Sequence, residues 1–153
     1  MDNDDIISIV NNLIETCKDG EYGFQTSADY LQNPEIKRLF TTRGQQCREA
    51  ASELQLLVRQ FGGTAEEGGT VSGAMHRGWV AVKGTLSGYS ERAILEEAER
   101  GEDAAIARYR DAMQEDLPVQ VRSLIERQFE GVKQNHMQVR ALRDQARLVA
   151  EQS

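Results

Sequence analysis

The residues with the most chemical potential in this chain are carboxylates and one imidazole: Glu21, Glu49, Glu102 and His136. Carboxylate oxygens and an imidazole nitrogen together form a hard-to-borderline donor set, the kind that holds iron or manganese. Glu53 and Glu99 stand one step further from the same group. Gathered in a low-dielectric interior, such acids repel one another and are costly to desolvate, so they persist there only with protons, cationic partners or metal ions. Two interpretations follow. In one, Glu21, Glu49, Glu102 and His136 are metal ligands with oxidase or peroxide-related chemistry. In the other, the acids pair with Arg43, Arg48, Lys133 or Arg140 as a polar layer, and His136 hydrogen-bonds to one of them.

Bringing these residues together requires long rods, and the apolar periodicity supplies them. Val10, Leu13, Cys17, Gly20, Phe24, Ser27 and Leu31 recur at alternating steps of three and four, predicting a helix over about 4–32. Asn33-Pro34 interrupts the pattern, and Ile36, Phe40, Arg43, Cys47, Ala50, Leu54, Leu57 and Phe61 then carry a second helix to Gly62-Gly63, a doublet suited to a C-terminus. Ser90-Glu91 opens a third, with Leu95, Ala98, Glu102, Ala105, Tyr109 and Ala112 on its seam. After Pro118 the series from Val121 through Ile125, Gln128, Val132 and Val139 to Val149 predicts the longest helix. No segment alternates as a strand does, so the expected class is all-α in a single domain over 1–153.

Short links join the first and second helices and the third and fourth, which makes each pair an antiparallel hairpin. The connection over 62–89 is far longer. Val71, Met75, Trp79, Val82 and Leu86 within it are spaced for a short crossover helix, which lets the second and third helices run parallel. A Gly-rich linker or lid is the competing interpretation of that stretch. Reflecting positions through the turns puts Glu21, Gln45, Glu49, Glu102 and His136 within about one helical turn of a common level.

The chain resembles the small bacterial ferritin-like four-helix-bundle proteins of unassigned function. The resemblance rests on residues 13–24 with Cys17-Lys18-Asp19-Gly20-Glu21, on Gly73-Ala74-Met75-His76-Arg77-Gly78-Trp79, on 94–103 with Glu99-Arg100-Gly101-Glu102-Asp103, and on 136–144. It implies a ferritin-like bundle, a bacterial cytoplasmic setting, stress-associated expression and self-association, without assigning an activity. Bundle di-metal sites draw a Glu-x-x-His pair from each of two helices. Here Lys133 stands where the Glu before His136 is wanted, and Ser52 follows Glu49 in place of a His.

Composition narrows the partners. Eighteen Lys plus Arg against 25 Asp plus Glu give a net charge of −7, which argues against a nucleic-acid backbone or an anionic membrane. The acidic start Met1-Asp2-Asn3-Asp4-Asp5 and the lack of a long apolar run point to a cytoplasmic protein. Cys17 and Cys47 cannot build a disulfide framework, but they fall at one level of the first hairpin, as small core residues or a pair that oxidation could cross-link. His76-Arg77-Gly78-Trp79 offers a ligand-binding or core-covering group. Phosphate loops and nucleophile elbows are absent. The function expected is that of a self-associating, dimeric, or partner-binding bundle without catalysis, with iron or manganese binding as the alternative.

Overall fold

A computed structural model of the chain describes residues 1–66 and 91–152. They form four helices: α1 (Asn3–Ala28), α2 (Pro34–Gln60), α3 (Glu91–Met113) and α4 (Val119–Gln152). No strand occurs among the described residues. The short crossover helix expected within 71–86, with Met75, His76 and Trp79, lies outside them. None of the described helices is long and apolar enough to cross a membrane.

Local chemistry sets the helix ends. Asp2 caps α1, its side chain accepting from the Asp5 N–H at 2.9 Å. α1 stops at Ala28, short of the expected 32, where the N–H groups of Tyr30 and Leu31 bond to the Ser27 and Ala28 carbonyls in a tighter turn; Asn33 is then extended (φ −69°, ψ 119°) ahead of Pro34. Asn33 then caps α2 by accepting from the N–H groups of Glu35 and Ile36. Leu31 keeps its place in the core from the intervening turn, at 4% exposure. α3 likewise ends at Met113 rather than near 116, one turn before Pro118.

At the end of α2, Gly62 adopts φ +81° and donates to the Arg59 carbonyl, while Gly63 donates to Val58; both bonds are 3.0 Å. This paired arrangement satisfies carbonyls that a helix end otherwise leaves open. An L side chain at Gly62 would be strained in that conformation even though nothing crowds its Cβ direction. Gly62→Ala is therefore expected to destabilise the fold by about 1 kcal/mol, read as a lower midpoint in guanidinium unfolding.

Side-chain contacts between helices give their directions. The Asn33 N–H donates to Glu91 at 2.8 Å and Arg43 meets Glu102, so α2 and α3 run the same way. Cys17 meets Tyr109 and Arg108 approaches Asp19, so α1 opposes α3. Gln60 meets Gln120, and Gln46 meets Asn135, so α4 opposes α2. The chain thus leaves α2 at one end of the bundle and enters α3 at the other, as a crossover topology requires. α1 packs closely on α2 and also on α3; α4 packs on α3 and only sparingly on α2.

The core has two halves. Ile6, Val10, Leu13, Ile14, Leu54, Leu57, Val121 and Ile125 fill the end that holds the chain's start. Phe24, Leu31, Ile36, Phe40, Ile94, Leu95 and Val139 fill the other. The apolar stripe of α4 weakens toward its end, where Val149, expected on the seam, is 61% exposed.

Candidate functional site

Between those halves lies a polar layer. Gly20, placed on the α1 seam by its spacing, allows α2 to come close: a Cβ at Gly20 would sit 2.8 Å from Cys47 Sγ. Arg43 and Glu102, both at seam positions, project inward and are 7% and 2% exposed. Arg43 Nε donates to Glu102 Oε1 at 3.3 Å and its Nη2 to Oε2 at 3.5 Å, a two-point contact linking α2 to α3 across the bundle. The guanidinium also stands 5.7 Å from the centre of the Phe24 ring. Burial pushes the Glu102 carboxyl up, against the pull of Arg43. Burial would lower Arg43, but Cys47 and Glu102 more than offset it, and Arg43 remains a cation.

A second chain of contacts runs from the interior to the surface. Tyr109 donates to Gln128 Oε1 at 2.8 Å, and Cys17 Sγ lies 3.1 Å from the same phenol oxygen. A phenol has one proton, so with that proton on Gln128 the thiol is the donor. Gln128 in turn donates to the Ala50 carbonyl and to Glu53, which pairs with Arg127 at 2.8 Å. Beside this network a cavity of about 500 Å³ opens where α2 and α4 stand apart. Cys17, Cys47, Arg43, Glu102 and Tyr109 line its depth; Gln46, Gln134, Asn135 and Gln138 line it from the two helices. This volume falls in the range of small-molecule pockets.

Burial pushes the Cys17 thiol up from an ordinary 9.0 to about 11, and Cys47 to about 12. Both are therefore protonated and weakly nucleophilic near neutral pH. For an acid whose pKa is higher in the folded chain, the folded state keeps a proton that the unfolded chain releases. Its contribution is complete below pH 9 and is lost as pH rises toward 11–12. Stability should fall by about 2 kcal/mol between pH 8 and pH 10, at up to about 1.4 kcal/mol per pH unit for each thiol. Denaturant unfolding at the two pH values checks this, and the Cys17→Ala/Cys47→Ala variant should lose most of the dependence.

The four sequence-predicted ligands occupy different surroundings. Glu102 is in the interior with Arg43. Glu21 is partly buried and pairs with Lys18 at 3.3 Å, one turn earlier on its own helix. Glu49 is exposed, accepts from Gln45 at 3.4 Å and lines the same cavity as Glu102. His136 faces α3, its Nε2 2.6 Å from Asp103 Oδ1. Of these four, Glu49 and Glu102 share the cavity; Glu21 and His136 are not in its lining. Among the described residues, the group whose possible ligand atoms come within 4.8 Å of one another is Glu99, Asp103 and His136.

Asp103 lies off the apolar stripe, so periodicity gives it no signal, yet it is four residues after Glu99 and so shares its face of α3. Tyr109 and Gln128 both stand on predicted seams, but the seams alone do not pair them across α3 and α4.

A dinuclear metal centre at the central layer does not fit these residues. Both oxygens of the interior carboxylate are engaged by the Arg43 guanidinium, and the remaining donors diverge to separate partners.

No curated protein matches the chain. The positions that build the polar layer, Cys17, Arg43, Cys47, Glu102 and Tyr109, all fall within a family pattern that covers α1, α2 and α3 and stops before α4. By that match over residues 5–115, the chain belongs to the family described as a domain of unknown function, DUF2383.

Proposed function

We propose that this protein is a ferritin-like four-helix bundle, with a crossover helix between α2 and α3, that works by self-association or partner binding without catalysis. The observation that supports this reading is the Arg43–Glu102 pair: the buried carboxylate has a resident cation and needs no metal ion to neutralise it. Self-association into a dimer belongs to this reading through the family resemblance; Leu56 on α2 and Met137 and Leu148 on α4, which are 56%, 69% and 57% exposed, are separate apolar side chains that a second copy would cover. The cleft between α2 and α4 supports partner or ligand binding. A bacterial cytoplasmic setting and stress-associated expression belong to the same reading through the family resemblance.

Light scattering on the purified chain tests the association: a dimer is expected, and a monomer at high concentration would contradict it. A second reading, an iron or manganese site using Glu21, Glu49, Glu102 and His136, is favoured by one observation, that Glu49 and Glu102 border the same cavity. Elemental analysis decides between the two readings. Near-stoichiometric metal that disappears in both Glu49→Gln and Glu102→Gln would establish the second and overturn the first.

A further inference from the structure

We propose that Glu99, Asp103 and His136 form a site for a single divalent first-row transition ion that ties α3 to α4, away from the central layer. Glu99 and Asp103 stand one turn apart on the same face of α3, and His136 meets them from α4, with one ligand atom from each lying within 4.8 Å of the others. Donors sharing an ion at about 2.1 Å are separated by roughly 3–4 Å, so the trio is close to a coordination shell before any ion enters. Two carboxylates and a neutral imidazole suit manganese, iron, cobalt or zinc better than calcium or magnesium.

An independent observation concerns the imidazole. His136 Nε2 is shut off from solvent and makes no hydrogen bond, and its contact with Asp103 Oδ1 at 2.6 Å is an ion pair. A buried imidazole nitrogen in that condition lacks the partner such atoms nearly always have. An ion accepting both atoms supplies it, and the pair need open by only a few tenths of an ångström to become adjacent ligands.

The surroundings fit the same role. Arg143 donates to Glu99 Oε2, leaving Oε1 for the ion and fixing the carboxylate as outer partners of metal ligands do. Asp103 is 61% exposed, which gives the ion a path from solvent and leaves room for water to complete its coordination. The site shares only His136 with the set read from the sequence and leaves Arg43–Glu102 untouched, so it does not depend on the function proposed above.

The test is a titration of the full chain, stripped with EDTA, with Co²⁺, followed by visible absorption and calorimetry. One Co²⁺ per chain is expected. Asp103→Asn and His136→Gln should each weaken binding at least tenfold, while Glu49→Gln binds as the parent does. Asp103 is exposed, so its variant keeps the fold; matching thermal unfolding of all three variants and the parent in EDTA verifies this. Equal binding by the parent and by Asp103→Asn and His136→Gln, or no saturation by 1 mM Co²⁺, would mean adventitious surface binding only and overturn the proposal. Loss of binding in Glu49→Gln would move the ion to the central cavity and overturn it as well.

Discussion

Replacing Arg43 with methionine should destabilise the protein by about 3–5 kcal/mol, because it leaves the Glu102 carboxylate buried without its cation. Glu102 is 2% exposed, and Arg43 supplies its hydrogen bonds from α2, so no nearby water-facing position replaces them. Removing the acid alone, as Glu102→Leu, strands the guanidinium and should cost a comparable amount. The double variant Arg43→Met/Glu102→Leu removes both charges and fills similar volume, and it should recover most of the loss. Guanidinium unfolding of the four proteins measures the coupling. Additive losses, within about 0.5 kcal/mol, would show that the two side chains do not act as a pair.

Phe24→Ala is the second large effect, expected at about 3–5 kcal/mol. Phe24 is 1% exposed and meets the Phe40 ring edge-to-face, with centroids 5.2 Å apart and planes at 85°. Truncating it opens a cavity at the join between the apolar half and the polar layer, where Arg43 lies beside its ring. Phe24→Leu keeps most of the volume and should cost about 1 kcal/mol. Loss of the same size in both variants would mean that ring contacts, rather than filled space, dominate at this position.

The helices were legible because each requirement they meet is local. Steps of three and four define a stripe, Asn33-Pro34 both ends one helix and starts the next, and Gly62 supplies the one left-handed residue that closes α2. The level of the polar layer was legible too, since a rise of about 1.5 Å per residue carries positions through the turns with little error. Gly44 approaches the Glu21 backbone, Asn135 meets Gln46 and His136 meets Asp103, all within about one turn of the expected level.

What spacing does not determine is the direction in which a long side chain reaches once it is there. Glu21 stands at the right height and turns to Lys18 on its own helix. Glu49 stands on the outer flank of α2, beside Gln45. Glu102, on the seam itself, had no outward route, and its partner was among the cations read from the sequence. His136 went to Asp103, an acid off the stripe that becomes its neighbour only because α3 and α4 meet along their flanks as well as their seams.

The most direct measurement is anomalous diffraction at the manganese and iron edges from crystals grown with those ions. The account predicts no anomalous density within the central cavity, Arg43 in contact with Glu102, and any ordered ion confined to Glu99, Asp103 and His136. An anomalous peak bridging Glu102 and Glu49, with the Arg43 guanidinium displaced, would contradict it.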